Sequence, residues 1–196
     1  MKRLLCAVTL VVGLTACQGY NPMENFDLKE PTTLHDVPTI KSNYAEADVQ
    51  RGKYLAELLA CGTCHTDGAL IGAPDARLQF AGSSIGIAYS NPFVDKHPGV
   101  LYPANITPDP KTGIGTWTDD ELISLLRNGI DNDGKRHIPV MPWPAYAKIH
   151  DDDAIAIVAF LRSVEPIQHK VPAGVLRGNK ATAPYVHFGV YQSKRP

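Results

Sequence analysis

Four cysteines occur in the chain, at positions 6, 17, 61 and 64, and their placing constrains the fold more than any other feature. Cys6 lies in an apolar N-terminal run and Cys17 just after it, so Cys61 and Cys64 are the pair left to the body of the protein. They stand in the run Cys61-Gly62-Thr63-Cys64-His65. That spacing sets two sulfurs about one helical step apart, with an imidazole on the next residue. A zinc site would need a second pair of Cys or His ligands at suitable spacing, and no second Cys pair exists. A thioredoxin-like redox pair would need a βαβ setting, whereas the flanks here look helical. A disulfide between 61 and 64 would leave His65 unexplained.

A C-x-x-C-H run is the attachment signature of c-type haem. The two sulfurs reach the two vinyl groups of one porphyrin, and the following histidine offers a nitrogen to the iron from the proximal side. Cys61, Cys64 and His65 are therefore the expected attachment residues, and one motif implies one haem c.

The N-terminus fits this reading. Met1-Lys2-Arg3 precedes an apolar stretch from Leu4 to Leu14, which reads as an export leader. The leader ends Leu14-Thr15-Ala16-Cys17, which resembles the bacterial lipobox. On that reading residues 1–16 are removed and Cys17 carries lipid, placing the protein on the periplasmic side of a bacterial membrane. Gln18, by resemblance to enterobacterial sorting, favours the outer membrane. Lys2 and Arg3 leave with the leader, so the formal charge moves from −1 to −3, with no basic excess for nucleic acid. Hydrophobic residues at 44% and charged residues at 20% argue against wholesale disorder and a multi-pass membrane protein.

Residues 17–46 carry Pro22, Pro31 and Pro38 without a sustained period, and read as a lipid-anchored tether or as coil wrapped on the domain surface. A helix is predicted from about Ala47 to Cys61, with Val49, Leu55, Leu58 and Leu59 as its apolar stripe. Gly52 inside it predicts close passage of another helix. Residues 66–116, rich in Gly and Pro, read as a long loop region. Thr118 and Glu121 form a capping box opening a helix over Leu122, Ile123, Leu125, Leu126 and Ile130, with Gly129 as its C-terminal cap. A third helix runs from about Asp151 to Ser163, with Ile155, Val158 and Leu161 on one face. Residues 167–196 hold Lys170, Arg177, Lys180, Lys194 and Arg195 and no acid. This basic extension reads as a solvated tail on the acidic body, or as a docking strap.

A single-haem electron carrier needs a second axial ligand. Met1 leaves with the leader and Met23 lies in the tether, so Met141 is the candidate. It sits in His137-Ile138-Pro139-Val140-Met141-Pro142-Trp143-Pro144, where three prolines stiffen the backbone. Thioether ligation stabilises ferrous iron and raises the potential. His137 is the nearest rival ligand, with His97 and His150 behind it.

The residues together resemble class I c-type cytochromes. They are most similar to the cytochrome modules of bacterial membrane-bound alcohol, aldehyde and sugar-acid dehydrogenases. The stretches that carry the resemblance are Arg51 to Leu55, Cys61 to His65, Asn105-Ile106-Thr107-Pro108-Asp109, Thr112-Gly113-Ile114-Gly115, Trp117-Thr118, Pro139 to Tyr146, and Phe160 to Ser163. They span about 47 to 166, the proposed cytochrome domain. The resemblance implies a small all-α bundle in which Gly52 and Tyr54 meet Phe160 or Leu161. It also implies a haem cradle at Asn105, Ile106, Thr107 and Trp117 near the propionates, and a backbone carbonyl, that of Pro74, on the proximal imidazole. Three departures stand out: one haem motif where such subunits often have three, extra sequence over 83–103, and the extension beyond Pro166.

The expected function is single-electron transfer between a dehydrogenase or respiratory donor and a downstream acceptor, with no substrate bond made or broken. The alternatives are peroxidase or small-gas chemistry, using His137 or Arg136 at a labile sixth position, and a docking subunit that anchors a dehydrogenase to the membrane. No Ser/His/Asp set, phosphate loop or pair of acids points to a separate hydrolytic activity.

Overall fold

The computed structural model describes residues 42–188 continuously, together with 24, 26–27, 29, 34 and 36–40. The leader, Cys17, Gln18, Met23 and residues 189–196 of the basic extension lie outside the described residues.

Two thirteen-residue helices, α1 (Glu46–Leu58) and α5 (Asp151–Ser163), cross at the centre. Gly52 permits the crossing: a Cβ at that position would lie 2.5 Å from the Ala156 carbonyl carbon and 2.8 Å from Phe160 Cβ. The predicted meeting of Gly52 with Phe160 holds, but Tyr54 is 61% exposed and plays no part in it. At 3.6 residues per turn the buried stripe of α1 is Val49, Gly52 and Ala56, while Leu58 points to solvent. The buried side of α5 carries Ala154, Ile157, Val158, Phe160 and Leu161, and Ile155 faces outward.

The first helix does not continue to Cys61. It ends at Leu58, and Ala60 adopts left-handed backbone, φ 56°, before a separate turn, α2 (Cys61–His65), begins. For a residue with a Cβ that conformation costs about 1 kcal/mol. It puts the Cys-x-x-Cys-His run on its own axis.

The third helix, α3 (Asp119–Asn128), opens on the predicted capping box: Thr118 Oγ1 accepts from the Glu121 amide and the Glu121 carboxylate accepts from the Thr118 amide. It closes at Gly129 in left-handed backbone, φ 65°. A single turn, α4 (Trp143–Tyr146), precedes α5. Among these helices lies a core of Val49, Ala56, Phe80, Ile114, Leu122, Leu126, Ile157, Val158, Phe160 and Val164, in which Phe80 meets Phe160 edge-to-face at 5.6 Å.

Beside the helical bundle, the extra sequence and the extension build a small sheet that an all-α reading does not include. Strand β1 (Gly86–Ala88) pairs antiparallel with β2 (Val100–Leu101) and parallel with β3 (Tyr185–His187). An aromatic group meets β3, in which Phe93 and Phe26 stack and the His187 ring lies 5.5 Å from Phe93. The loop region 66–116 is otherwise ordered by two short 3₁₀ turns, Ala69–Ile71 and Ala76–Leu78. Before α1, Val37 is buried in the core, Thr39 bridges Val164, and the Ile40 amide donates to Ser163 O at 2.7 Å. No helix among the described residues is long and apolar enough to cross a membrane.

Candidate cofactor-attachment site

The short helix α2 carries both cysteines as free thiols, each partly buried. Burial pushes the Cys61 thiol up to about 12 and raises Cys64 as well. The next residue, His65, has its Nδ1 2.7 Å from the carbonyl oxygen of Ala104. A carbonyl only accepts, so Nδ1 carries the proton and Nε2 keeps its lone pair. Burial lowers the His65 pKa and the Ala104 carbonyl opposes that shift, so the imidazole is held neutral. The backbone of His65 is fixed too, its carbonyl accepting from the Gly82 amide at 2.8 Å. The proximal carbonyl is therefore Ala104's rather than Pro74's. The loop carrying it is brought to α2 by the Ser83–Pro103 and Ile106–Phe80 backbone bonds.

Of the predicted cradle, Ile106 and Trp117 are partly buried apolar groups packed on the central core, as are Cys61, Leu59, Ile123 and Met141. Asn105 and Thr107 behave differently. They are 2% and 0% exposed, and their polar atoms bond to one another, to Thr112 and to Ile167. Trp117 is held through its backbone: Arg162 donates to the carbonyls of Trp117 and Ile114 and to Asp119, whose other oxygen accepts from Tyr44.

Met141 sits on a braced loop. The Trp143 amide donates to Met141 O at 2.7 Å, the Trp143 indole N–H to His137 O at 3.1 Å, and the Arg136 guanidinium lies 5.3 Å from the Trp143 ring centre. Tyr146 then ties α4 to the end of α1 by donating to Leu59 O at 3.2 Å, two residues before Cys61. Burial, with Cys61 and Cys64 nearby, pushes its phenol up to about 12. Of the rival histidines, His137 has its Nε2 2.8 Å from Asp131, His150 stands at the N-cap position of α5 without a side-chain cap bond, and His97 lies by the sheet, its backbone carbonyl accepting from the Gly178 amide. A groove of about 450 Å³ behind α2, lined by Leu34, Val37, Gly62 and Phe80 among others, contains none of these ligand candidates.

Three groups in this site carry no sequence signal as ligand-side residues. Ala104 acts through its backbone, which residue type does not report, and Tyr146 and Arg162 stand inside matching stretches without an assigned role.

The sequence profile of the cytochrome c family matches residues 49–165, more than half of the chain. This chain belongs to the cytochrome c family. It is 41% identical over 130 residues to the cytochrome c subunit of a quinone alcohol dehydrogenase from Gluconobacter oxydans, covering 65% of this chain and 24% of that protein. It is 37% identical over 123 residues to the gluconate 2-dehydrogenase cytochrome c subunit of Pantoea cypripedii, covering 62% and 24%. With the fructose dehydrogenase cytochrome subunit of Gluconobacter japonicus it shares 35% over 125 residues, covering 63% and 23%. The chain thus spans about a quarter of the length of these relatives. Membership of the cytochrome c family implies covalent haem c, and the donor set fits it: two free thiols on one helical turn, and a neutral imidazole with Nδ1 engaged and Nε2 left to donate.

Proposed function

We propose that this cytochrome c is a lipid-anchored, single-haem electron carrier, held through Cys17 on the periplasmic side of a bacterial membrane, with the outer membrane favoured. It takes single electrons from a dehydrogenase or another respiratory donor and passes them to a downstream acceptor. The observation that carries the reading is the His65–Ala104 hydrogen bond beside two free cysteines. It prepares one nitrogen of a neutral imidazole as a ligand next to two attachment points. The relatives named as cytochrome subunits of alcohol, gluconate and fructose dehydrogenases support a dehydrogenase as the donor.

Haem c, when bound, supplies a one-electron iron couple. Cys61 and Cys64 would hold it, and His65 Nε2 and the Met141 thioether sulfur would be its iron ligands. Ile106, Trp117 and Ile123 would exclude water, which would favour the less charged ferrous state. The prolines and the Trp143 contacts around Met141 would keep the sulfur in place without relying on a strong bond. Arg136 and His137, the polar groups that peroxidase chemistry would require, are engaged with Trp143, Asn128 and Asp131.

The test is a potentiometric titration of the purified chain and of Met141→Ala. One haem per chain is expected. The variant should keep its haem, because Cys61, Cys64 and His65 are intact, and its midpoint potential should fall. An unchanged potential would remove Met141 as the ligand, and rapid carbon monoxide binding by the reduced wild type would replace electron transfer with chemistry at an open sixth position. Fatty-acid labelling that persists in Cys17→Ala would refute the anchor.

A further inference from the structure

Asn105 and Thr107 lie one and three residues after the residue whose carbonyl holds His65, and their side-chain polar atoms bond within the protein. The Asn105 amide is fully used within the protein. Its Nδ2 donates to Ile167 O at 2.7 Å and to Thr112 Oγ1 at 3.0 Å, and its Oδ1 accepts from the Thr107 amide at 2.9 Å and the Thr107 hydroxyl at 2.7 Å. Two donors and two lone pairs are all that a carboxamide has. Thr107 Oγ1 also accepts from the Ile167 amide at 3.1 Å, and Thr112 Oγ1 accepts from the His169 amide at 3.0 Å. The His169 ring then reaches Ala81 O at 2.9 Å, beside the Gly82 amide that bonds the His65 backbone. Three side chains, Asn105, Thr107 and Thr112, thus hold residues 167–169, and that segment closes over the loop bearing Ala104. The fit is tight: a Cβ on Gly82 would lie 2.6 Å from Val171 Cγ1 and 2.8 Å from Ala104 C.

We infer that Asn105 and Thr107 are positioning residues for the proximal ligand, and that Ile167 and His169 of the C-terminal extension complete the lock that aims the Ala104 carbonyl at His65 Nδ1. The partners at Ile167 and His169 lie beyond the 49–165 family match, so this chain supplies the second half of the lock from its own extension. The inference rests on His65 being the iron ligand proposed above. The Nδ1–H···O=C bond strengthens the imidazole as a donor and so favours the ferric state. Loosening the lock weakens that bond and shifts the couple toward ferrous.

The experiment uses the full holoprotein and three shape-conserving changes. Thr107→Val removes the hydroxyl and Thr107→Ser restores it. Asn105→Asp replaces the Nδ2 amino group, and with it both N–H donors, by one oxygen facing Ile167 O and Thr112 Oγ1. Haem content, midpoint potential and the hyperfine-shifted NMR signals of the His65 ring are read for each, with Val158→Ala in the α1–α5 core as a control for lost stability alone. We expect full haem content throughout, a raised midpoint and shifted His65 signals in Thr107→Val and Asn105→Asp, wild-type values in Thr107→Ser, and no change in potential for Val158→Ala. If Asn105→Asp does not accumulate, the two Thr107 variants decide. A Thr107→Val protein that melts earlier but keeps the wild-type potential and His65 signals would overturn the inference. A wild-type chain that carries no haem would instead overturn the function it rests on.

Discussion

Replacing Gly52 by Ala should destabilise the protein, although alanine is the better helix former. An added Cβ would fall on the Ala156 carbonyl and 2.8 Å from Phe160 Cβ. The carbonyl belongs to a helix whose Ala156, Ile157 and Phe160 are all 0% exposed, so no flexible side chain can give way. The helices must separate instead. Overpacking against backbone in a closed core costs about 3 kcal/mol. The gain in helix propensity offsets about 1 kcal/mol of this. The net loss of about 2 kcal/mol corresponds to a fall of roughly 8 °C in Tm for a domain of this size. Thermal unfolding of the holoprotein, followed by circular dichroism, measures it. Propensity alone predicts the opposite sign, so a Tm equal to or above wild type would refute the close-crossing argument. The site should feel the change too, because Leu59, whose carbonyl receives the Tyr146 hydroxyl, is the C-cap residue of α1.

Tyr146→Phe deletes that single hydrogen bond and should cost about 1 kcal/mol in denaturant unfolding. Arg162→Met leaves the Ile114 and Trp117 carbonyls without this donor and Asp119 with Tyr44 alone, and should cost about 3 kcal/mol by the same measurement, since the side chain is only 13% exposed. Asp131 gives a pH dependence. Burial pushes its carboxyl up, but the His137 hydrogen bond and the Lys135 and Asp133 amides outweigh this and hold it below the ordinary carboxylate value. A depressed folded pKa contributes stability above the unfolded value that is lost as pH falls through the folded one. The thioether–iron charge-transfer band should therefore weaken below about pH 4, and Asp131→Asn should already show the weakened band at neutral pH.

Much of the site can be found in the chain because its signals are local. The Cys61–His65 run, the Thr118–Glu121 box, the Gly129 cap and the bounds of α5 each depend on residues a few positions apart. Gly52 is legible as a close crossing because a glycine inside a helix costs about 1 kcal/mol relative to Ala, although a tolerated surface glycine is the other reading the sequence permits. What escapes depends on partners distant in sequence or on backbone. The break at Ala60 places a residue with a Cβ in left-handed backbone, which no local propensity announces. Tyr54, Leu58 and Ile155 look like core by residue type, but the crossing at Gly52 turns them outward. The parallel pairing of 86–88 with 185–187 leaves no periodic trace in either three-residue strand, and the extension that reads as a tail or strap is, as far as Phe188, woven into the domain. The proximal carbonyl is expected at a proline, whereas any residue can offer one, and the fold offers Ala104.

The parallel pair also sets an order of assembly. β3 joins β1 across about a hundred residues of chain, and Ile167 reaches back to Asn105. A chain emerging N-terminus first exposes its Cys-x-x-Cys-His run long before either partner arrives. Until residues 167–169 dock on Asn105, Thr107 and Thr112, the loop bearing Ala104 lacks its C-terminal brace. The two thiols are thus on the chain well before the support of the proximal carbonyl is complete.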